Sequence, residues 1–596
     1  MPESTLTYPY RDPSLSIAQR VEDLLQRMTV EDKAGLMFQP IAHVGDLDAS
    51  ADFVPLTARE LLTRRINHFN ILWATSARQI AEWNNTIQSV LRVHPLGIPA
   101  TISSDPRHAF SNNPGAALMA GPFSQWPEPL GMAAIGKEDL VRRWAEVIRA
   151  EYVAVGIRAA LHPQIDLATD PRWARTSATF GENAELASRL GVAYILGLQG
   201  GGEIGSSSVS AMAKHFPGGG AQKDGEDPHF AYGREQIYPG GKFDLHLEPF
   251  RAVIDAGVSQ IMPYYGMPVG TPFEEVAFGF NRGVITGLLR DVLGFDGVVC
   301  TDWGILSERP WGVEHLSYDE RMIKALDAGI DQFGGETSND VLVRLVRVGR
   351  VPESRIDESA RRLLREKFQL GLFDNPFVDV EAATITVGAD AAREEGRLAQ
   401  AAAQVLLKNS IGAANLPLRR GVRVYSEGIT DPLLSARSTT VDSPEEADVA
   451  IVRLVAPWED RGEPGTLETF FHAGSLDFPP QQIAHLERIA AAAPLIVDVY
   501  LDRPAILGPV AEIASSLIAN FGSSDNVLIG TLFGELAPEG QLPFDIPSSM
   551  DAVKKSRPDT PFDTVNPTFI YGFGLRYPSG VPDGSTETLS HVQDEG

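Results

Sequence analysis

The sequence contains a single cysteine, Cys300, in 596 residues. One thiol cannot form a disulfide within the chain, so a disulfide-rich extracellular framework is excluded. Basic residues are also few, with 51 Lys and Arg against 78 Asp and Glu and a formal net charge of -27 at pH 7. Because a negative surface repels phosphate groups, we expect neither nucleic acid nor an anionic membrane as a partner, and we expect a small or neutral ligand.

The sequence also lacks long apolar runs. It has no stretch of about 18 apolar residues, the length that a transmembrane helix needs. The opening residues MPESTLTYPYRDPSLS have no basic segment followed by an apolar one, so they do not resemble a secretory signal and we expect a cytoplasmic protein. The composition leaves homo-oligomer formation open.

The length favours two or three domains, each large enough to bury its own core. Up to about residue 375, segments typical of buried strands alternate with segments of helical periodicity. The clearest strand-like segments are IRAALHPQIDLA, VSAMAKHF, VSQIMPYY and FDGVVCTDWG, and the helix-like stretches cover 139–155, 185–199, 243–256 and 317–329. This alternation predicts a parallel sheet, and its length fits an N-terminal (β/α)8 TIM-like barrel over residues 1–375.

A change in composition follows the barrel. The segment LGLFDNPFVDVEAATITVGAD contains Pro376 and shows little periodicity, so we place a linker at 376–395. After it, EEGRLAQAAAQVLLKN is predicted as a helix, and GVRVYSEG, ADVAIVRLVA, APLIVDVYLDRPAIL and ASSLIANFG are predicted as strands. These elements predict a C-terminal α/β sandwich domain over 396–577, and the polar tail 578–596 is predicted to be disordered.

Polar residues at the ends of predicted barrel strands are the candidates for chemistry, because active sites of such barrels lie at the carboxyl ends of the strands. The segment DGVVCTDW places Asp302 at such an end, next to Trp303. A carboxylate there can serve as a nucleophile or base facing a pocket. The alternative is an Asp that caps a helix or forms a loop salt bridge.

Two further segments place polar residues after an apolar run. In AMAKHFPGGG the apolar run is closed by Lys214 and His215, and ISSDPRH contributes Asp105. Adjacent side chains on a strand point to opposite faces, so Lys214 and His215 reach one ligand only if the strand bends or finishes there. Otherwise they are a surface lysine and a core histidine.

A fourth segment, DLATDPRWARTSATFGE, gathers charged residues around Trp173. Asp170, Arg172 and Arg175 lie within six residues of one another. For Arg172 a structural ion pair is the expected role.

Together these segments resemble glycoside hydrolase family 3, the β-glucosidase family. The motifs RVEDLLQRMTVEDKAGLM, DPRWAR, FGE, KHF and TDWG occur here in the order of the family and at similar spacing. The likeness covers almost all of 15–577. It implies a (β/α) barrel followed by an α/β sandwich, one loop of which completes the active site.

The resemblance assigns roles by position. Asp302 matches the nucleophile of the family, and Tyr265 in IMPYYGMP resembles the tyrosine beside it. The residues that match those holding the hydroxyl groups of the terminal sugar are Asp105, Arg175, Lys214 and His215. A sugar that is buried loses its hydrogen bonds to water, and charged or bidentate side chains are needed to replace them. Trp303 offers an apolar face to the sugar ring.

Retaining hydrolysis also needs a protonated carboxyl that donates to the leaving oxygen. The resemblance places it in the second domain, within VAPWEDRGEPGTLETFFHAGSLDFPP, where Glu459, Glu463 and Glu468 compete. Glu468 precedes SLDFPP at about the usual interval of the family and is the first choice, followed by Glu459. Solvated loop carboxylates remain the alternative for two of the three.

One departure concerns the segment KHFPGGGAQKDGEDPHF. It resembles the β-N-acetylglucosaminidase branch of the family, in which an Asp-x-His pair supplies a histidine acid/base. Asp227 and His229 have this spacing, but the loop is two residues longer and Pro228 replaces the usual serine. A His–Asp pair can transfer protons near neutral pH, whereas the alternative is a loop that shapes the pocket.

The sequence therefore predicts a retaining exo-β-glycosidase, β-glucosidase-like, that acts on a small glycoside by double displacement. No cofactor and no metal are expected, because neither a His/Cys metal spacing nor a dinucleotide fingerprint in the right context occurs. The alternatives are a β-N-acetylglucosaminidase or β-xylosidase of the same family. From another class, a non-catalytic sugar-binding protein on the same scaffold stays open.

Overall fold

The computed structural model of the chain describes residues 8–51, 54, 56–72, 76–111, 118, 120–429 and 432–577. The predicted disordered tail, 578–596, lies outside the described residues. Among the described residues, none of the helices combines the length and the apolar character that a membrane crossing requires.

The first half of the chain builds a parallel sheet from short strands. Nine of the eleven strands are buried along their whole length, as expected where helices cover a sheet on one side and a packed interior lies on the other. The strands are β1 Phe38–Gln39, β2 Ile41–Ala42, β3 His68–Ile71, β4 Thr101–Ser104, β5 Ile157–Ala160, β6 Ser210–Phe216, β7 Glu235–Gln236, β8 Gln260–Pro263, β9 Met267–Pro268, β10 Val298–Val299 and β11 Phe333–Gly334.

Nine of these strands pair around a ring, and β7 and β9 form a separate parallel pair. Seven of them form one parallel sheet in the order β10-β8-β6-β5-β4-β3-β2, and β1 pairs in parallel with β11. A parallel bridge between Cys300 and Gln332 joins the end of β10 to the residue before β11, and only Pro40 separates β1 from β2. The two ends of the sheet are thereby brought together, as in a (β/α) barrel.

Helices follow most of the strands and pack outside them. The helix predicted over 317–329 shows why these segments are helical: Ser317 and Glu320 form a capping box at its start, and Gly329 ends it with a positive φ of 112°. The α-helices of this half are α1 Ile17–Leu25, α2 Val30–Leu36, α3 Ala58–Thr63, α4 Ala77–Arg92, α5 Pro129–Ile135, α6 Glu138–Val155, α7 Ala184–Gln199, α8 Phe243–Asp255, α9 Tyr318–Ala328, α10 Asn339–Arg347 and α11 Glu353–Gln369, and a π-helix covers Gly283–Val292.

The second half is a six-stranded sheet with helices on both faces. Its order is β12-β17-β16-β15-β13-β14, and β12 is antiparallel to β17 whereas the other pairs are parallel. Alternate residues of β15 join different apolar clusters, Ala450 and Val452 on one face and Val449 and Ile451 on the other. The elements are α12 Val380–Thr386, α13 Asp390–Ala402, β12 Val405–Asn409, β13 Arg423–Glu427, β14 Thr439–Thr440, β15 Val449–Val455, α14 Pro480–Ala492, β16 Leu495–Tyr500, α15 Gly508–Ile513, β17 Ser516–Asn520, α16 Asp525–Leu532 and α17 Met550–Lys555.

One predicted element is wrong. The segment EEGRLAQAAAQVLLKN was expected to be a single helix, but α13 ends at Ala402 and β12 begins at Val405. Val405, Leu406 and Leu407 are buried, and β12 pairs with β17 along the sheet. Burial on both sheet faces outweighs the helical propensity of this short apolar run.

Hydrogen bonds from backbone N–H groups to carboxylates connect the two halves of the chain, with the carboxylate in the barrel half in one case and in the second half in the other. Glu182 accepts hydrogen bonds from the backbone N atoms of Asp545, at 2.7 Å, and Phe562, at 2.8 Å. Asp559 accepts from those of Gly240 and Lys242. These contacts fix a loop-bearing edge of the second domain over the barrel.

Candidate active site

A cavity of about 1020 Å³ lies at the carboxyl ends of the barrel strands. Its lining includes residues after β1, β3, β4, β6, β8, β10 and β11, together with Gly465, Leu467 and Phe470 of the second domain. The cavity brings together seven residues that the sequence predicted for the site. They are the nucleophile candidate Asp302, the adjacent tyrosine candidate Tyr265, and the sugar-binding candidates Asp105, Arg175, Lys214, His215 and Trp303.

The two carboxylate oxygens of Asp302 differ. Oδ1 accepts hydrogen bonds from the Tyr265 hydroxyl and the Trp303 backbone N–H, each at 2.8 Å. Oδ2 is buried and has no hydrogen-bond partner among the described residues. The Nε2 atom of His215 lies 3.7 Å from it. One oxygen is therefore held in place and the other is available to a ligand.

Tyr265 is itself held from two sides. Its hydroxyl lies 2.6 Å from the carbonyl oxygen of Trp303 as well as 2.8 Å from Asp302 Oδ1. The guanidinium of Arg309 lies 5.2 Å from the centre of its ring. Burial, and next the Asp302 carboxylate, raise the pKa of Tyr265 well above its usual value, so the hydroxyl stays a hydrogen-bond donor.

Lys214 and His215 both line the cavity although they are adjacent on β6. The pairing of β6 with β8 shifts at this point, since Lys214 pairs with Met262 and Phe216 with Pro263. His215 is thus an extra residue in the ladder, a bulge that re-aims its side chain. Lys214 and His215 were expected to reach one ligand only if the strand bends or finishes there, and this bulge supplies the bend.

His215 is oriented by Asp166, which the sequence analysis did not single out. Asp166 accepts from the His215 backbone N–H at 2.9 Å and from that of Gly219 at 2.6 Å, and its Oδ2 lies 2.7 Å from His215 Nδ1. Burial, with the positive charges of Arg175 and Lys214, lowers the pKa of His215 well below its usual value. The neutral ring then donates through Nδ1 and presents Nε2 to the cavity as an acceptor.

Three charged groups stand at the sugar-binding end. Lys214 Nζ lies 3.3 Å from Asp105 Oδ1, and Asn70 donates to Asp105 Oδ2 at 3.1 Å. Arg175 is 1% exposed, and its Nε has no partner among the described residues. Burial lowers the pKa of Arg175, but nearby acidic groups, including Asp227 and Asp302, outweigh it and raise the pKa. A buried guanidinium whose Nε has no partner among the described residues suits a polyol.

Asp227 and His229 form a buried pair, and His229 lines the same cavity. Asp227 Oδ1 lies 2.6 Å from His229 Nδ1, and Oδ2 accepts from the Trp173 indole and the Tyr264 hydroxyl, each at 2.9 Å. Burial raises the pKa of Asp227, but His229 and Arg175 outweigh it and lower the pKa to about 2. Burial lowers the pKa of His229. The His229 ring lines the cavity, and its centre lies 4.9 Å from that of Tyr265.

The three carboxylates of the second-domain loop lie in different environments. Glu468 sits on a short 3-10 helix, Leu467–Phe470, between two residues that line the cavity, and its Oε1 accepts from the Tyr232 hydroxyl at 2.5 Å. Glu459 is bound by Arg461, at 2.6 Å, and by the backbone N–H of Ser475, and the bond from Arg461 lowers its pKa. Glu463 is exposed.

A buried arginine holds the base of this loop. Arg503 is 0% exposed, and its guanidinium donates to the carbonyl oxygens of Pro457, Ala473, Gly474 and Ser475. It also donates to the carbonyl oxygen of Arg172 in the barrel half, at 2.8 Å. One side chain therefore ties both ends of the 457–475 loop to each other and to the barrel.

Sequence reasoning missed Asp166, Asn70 and Arg309. Asp166 lies at the end of the strand-like segment IRAALHPQIDLA, where the strand-end rule used for Asp302 also applies. Asn70 sits within a four-residue strand and Arg309 in a loop, and nothing in their local sequence indicates a contact with the site. Arg172 forms the predicted structural ion pair, 2.8 Å from Asp170.

Comparison with known proteins decides the family. The family model described as "Glycosyl hydrolase family 3 N terminal domain" matches residues 64–366. The model described as "Glycosyl hydrolase family 3 C-terminal domain" matches residues 376–577. The chain belongs to glycoside hydrolase family 3. The predicted fold class, a barrel followed by an α/β sandwich, is confirmed, and the chain is a retaining glycoside hydrolase.

Similar family 3 proteins cover nearly the whole chain. "Beta-glucosidase C" of Emericella nidulans is 49% identical over 583 residues, which is 95% of this chain and 94% of the relative. "Periplasmic beta-glucosidase/beta-xylosidase" of Dickeya chrysanthemi is 40% identical over 95% of this chain and 91% of its own length. The crystal structure of a β-glucosidase from Listeria innocua in complex with isofagomine superposes with a TM-score of 0.76 at 22% identity, over 94% of this chain and 83% of that one, and this likeness concerns the fold.

Proposed function

We propose that this family 3 enzyme releases terminal β-linked glucose, with Asp302 as the nucleophile. The observation that carries the assignment is the asymmetry of the Asp302 carboxylate, in which Oδ1 is held by two donors and buried Oδ2 is without a partner. Oδ2 attacks the anomeric carbon, the leaving oxygen departs with a proton, and a glycosyl-enzyme ester forms. Water then hydrolyses the ester and restores the carboxylate.

Binding of the sugar hydroxyl groups falls to the charged end of the cavity. Asp105 and His215 Nε2 accept from hydroxyl groups, and Arg175 and Lys214 donate to them. A bond to the 2-hydroxyl that shortens in the oxocarbenium-like transition state accelerates the reaction as well as binding the substrate. Trp303 provides the apolar face against the ring.

Glu468 is the proposed proton donor to the leaving oxygen. It lies on the only segment of the second domain that contributes described residues to the cavity lining, between Leu467 and Phe470. Glu459 suits the role less well, because its bond with Arg461 lowers its pKa and an acid must be protonated when substrate binds.

A second candidate for proton transfer is the Asp227–His229 pair. The observation in its favour is that His229 itself lines the cavity beside Tyr265, whereas Glu468 is engaged by Tyr232. With His229 as the acid/base, the enzyme would share the mechanism of the β-N-acetylglucosaminidase branch. Position on the second-domain loop favours Glu468.

The choice of glucose rests on the names of similar proteins. "Beta-glucosidase C" and "Periplasmic beta-glucosidase/beta-xylosidase" supply glucose as the first candidate and xylose as the second. Rates on 4-nitrophenyl β-glucoside, β-xyloside and β-N-acetylglucosaminide test this, with Asp302→Ala as the inactive control. We expect the glucoside to be the best substrate. Absence of turnover on all three, with sugar binding retained, would instead mean a non-catalytic sugar-binding protein.

The cytoplasmic location stays a prediction. Activity measured in cytoplasmic, periplasmic and external fractions of the source cells tests it, and activity outside the cytoplasmic fraction would contradict it.

A further inference from the structure

Asp166 and Asp302 face opposite nitrogen atoms of the His215 ring. Oδ2 of Asp166 lies 2.7 Å from Nδ1, and Oδ2 of Asp302 lies 3.7 Å from Nε2. Asp166 is 0% exposed and is not among the residues that line the cavity, whereas His215 and Asp302 both line it. Asp166 therefore reaches the nucleophile through the histidine ring.

The contacts of Asp166 decide which ring nitrogen carries the hydrogen. Its Oδ1 accepts from the backbone N–H groups of His215 and Gly219, at 2.9 and 2.6 Å. Burial raises the pKa of Asp166 to about 6, against these bonds and the positive charges of Arg175 and Lys214, so the carboxylate is charged at pH 7. A charged carboxylate has no hydrogen to donate, so the short contact to Nδ1 requires the hydrogen on Nδ1.

The other ring nitrogen is then an acceptor. His215 is neutral, because burial and next the charges of Arg175 and Lys214 lower its pKa well below the usual value. A neutral ring with its hydrogen on Nδ1 has a lone pair on Nε2. Two acceptors thus face each other across the 3.7 Å between Nε2 and Oδ2 of Asp302, and neither can donate to the other.

This tautomer leaves the attacking oxygen of Asp302 free. Oδ2 is buried and has no hydrogen-bond partner among the described residues, while Oδ1 is held by the Tyr265 hydroxyl and the Trp303 backbone N–H. A lone pair that is not engaged in a hydrogen bond is available to the anomeric carbon.

The opposite tautomer would occupy the same oxygen. With its hydrogen on Nε2, the ring would point a donor at a buried carboxylate oxygen. Closing the distance from 3.7 Å to about 2.9 Å, that of an ordinary N–H···O bond, needs a movement of about 0.8 Å. Asp302 would then have to break this bond before it attacks.

We propose that Asp166 is a positioning residue that fixes the tautomer of His215 and thereby keeps Oδ2 of Asp302 free for attack. The inference rests on the proposed function, since it takes Asp302 as the nucleophile. Asp166 itself touches neither the substrate nor the reacting atoms.

Asp166→Asn changes the tautomer with little change of shape. The asparagine oxygen can still accept from the backbone N–H groups of His215 and Gly219, which places its NH2 group opposite Nδ1. This group donates to Nδ1, so the single hydrogen of the neutral ring moves to Nε2.

Inactivation by 2,4-dinitrophenyl 2-deoxy-2-fluoro-β-D-glucoside measures the attack of Asp302 alone, because the leaving group needs no proton donor. In Asp166→Asn we expect the limiting rate of inactivation to fall about 10- to 100-fold, the effect of one charge-assisted hydrogen bond on the nucleophile. The half-saturating concentration should change less. A wild-type limiting rate, or a change confined to the half-saturating concentration, would overturn the proposal.

A second variant separates the tautomer from a general effect on the fold. In a His215→Ala background the ring is absent, so Asp166→Asn should have no further effect on the limiting rate. An equal loss in that background would mean that Asp166 acts through the fold and would contradict the proposal.

Asp331→Asn is the matched control. Asp331 is also a barrel aspartate with 0% exposure, and it accepts from the backbone N–H of Val299 at 3.0 Å without lining the cavity. This variant should lower the unfolding temperature and leave the limiting rate of inactivation unchanged.

The tautomer itself is read by NMR of protein labelled with ¹⁵N-histidine, in which a ring nitrogen that carries a hydrogen is distinguished from one that does not. A His215→Gln sample identifies the signals of His215. We expect the hydrogen on Nδ1 in wild type and on Nε2 in Asp166→Asn. A hydrogen on Nε2 in wild type would overturn the proposal even if Asp166→Asn does not fold.

The two levels of the proposal fail differently. If the fluoroglucoside does not label Asp302 in wild type, the proposed function is wrong in its nucleophile. If wild type is labelled at Asp302 and folded Asp166→Asn is labelled as fast, the function stands and Asp166 does not control the nucleophile.

Discussion

The hydroxyl oxygen of Tyr265 lies 2.8 Å from Oδ1 of Asp302, and it fixes the plane of the carboxylate that we assign as nucleophile. The Trp303 backbone N–H holds the same oxygen. Oδ2 is therefore aimed by two contacts made on the opposite side of the carboxylate. Positioning of this kind is expected to affect the chemical step more than substrate binding.

Replacement of Tyr265 tests this relationship. Tyr265→Phe removes one donor and frees the carboxylate to rotate, so we expect kcat to fall about 10- to 100-fold with a smaller change in KM. Steady-state kinetics on 4-nitrophenyl β-glucoside measure both. Tyr10→Phe is the control. It removes a hydroxyl that donates to the carbonyl oxygen of Leu96, and it should leave kcat unchanged. A Tyr265→Phe enzyme with wild-type kcat would show that the contact does not position the nucleophile.

The acid/base is decided by comparing leaving groups. Glu468→Gln removes the proposed proton donor, so hydrolysis of alkyl glucosides should fall about 100-fold or more, while 2,4-dinitrophenyl β-glucoside, which needs no proton, loses far less in its first step. Added azide should raise the rate by attacking the ester without base assistance. Glu463→Gln, on the same loop and exposed, is the matched control.

The same comparison tests the histidine. His229→Asn could lose activity on alkyl glucosides but little on 2,4-dinitrophenyl β-glucoside, while Glu468→Gln behaves like wild type. Proton transfer would then pass through His229 and Asp227. The assignment of Glu468 is then wrong.

Arg503 is predicted to act through the loop that it anchors. Arg503→Lys retains the charge but cannot serve five carbonyl oxygens, so the 457–475 loop is expected to loosen. We expect kcat/KM for alkyl glucosides to fall about 10- to 100-fold, with a smaller loss for 2,4-dinitrophenyl β-glucoside.

Arg158 provides the control for Arg503. It is also buried, and it binds backbone carbonyl oxygens of Ser206, Ser208 and Leu370 at the start of β5, away from the cavity. Arg158→Lys should lower the unfolding temperature without changing the relative rates of the two substrates. Equal effects of both variants on those relative rates would mean that Arg503 is merely structural.

Glu128 gives a stability prediction. It is 1% exposed between the two halves of the chain, with the Tyr500 hydroxyl 3.1 Å from its Oε1, and burial raises its pKa from 4.5 to about 7. The folded state therefore holds this proton more tightly than the unfolded state. Its stabilising contribution is complete below about pH 4.5 and is lost as the pH rises through 7.

The measurement for Glu128 is urea unfolding of wild type and Glu128→Gln at pH 5 and pH 8. Gln has no proton to lose, so the free energy of unfolding of the variant relative to wild type should increase by about 3 kcal/mol between pH 5 and pH 8. A difference that does not change with pH would contradict a raised pKa for Glu128.

The sequence predicted the parts of the site that lie at the ends of apolar strand-like segments. Asp302, Lys214 and His215 each follow or close a recognisable apolar segment. The alternation of strands and helices predicts a barrel, in which the carboxyl ends of the strands lie together. β1 and β2 are two residues each and lie in no segment long enough to show the periodicity of a strand, so the contribution of Ile41 to the cavity lining could not be predicted.

Other features depend on contacts between distant segments. Asp166 orients His215 across 49 residues, and Arg503 reaches Arg172 across 331 residues. The boundary of α13 was missed because Val405–Asn409 is a strand only through its pairing with β17. Local propensity cannot report such pairings, which are decided by burial in the assembled sheet.

Trapping of the covalent intermediate tests the assignment of Asp302 most directly. The enzyme is incubated with 2,4-dinitrophenyl 2-deoxy-2-fluoro-β-D-glucoside, digested, and its peptides are analysed by mass spectrometry. We predict one 2-deoxy-2-fluoroglucosyl unit on the peptide that contains Asp302, and none in Asp302→Ala. A stable label on another carboxylate, or hydrolysis by wild type with no label at Asp302, would contradict the account.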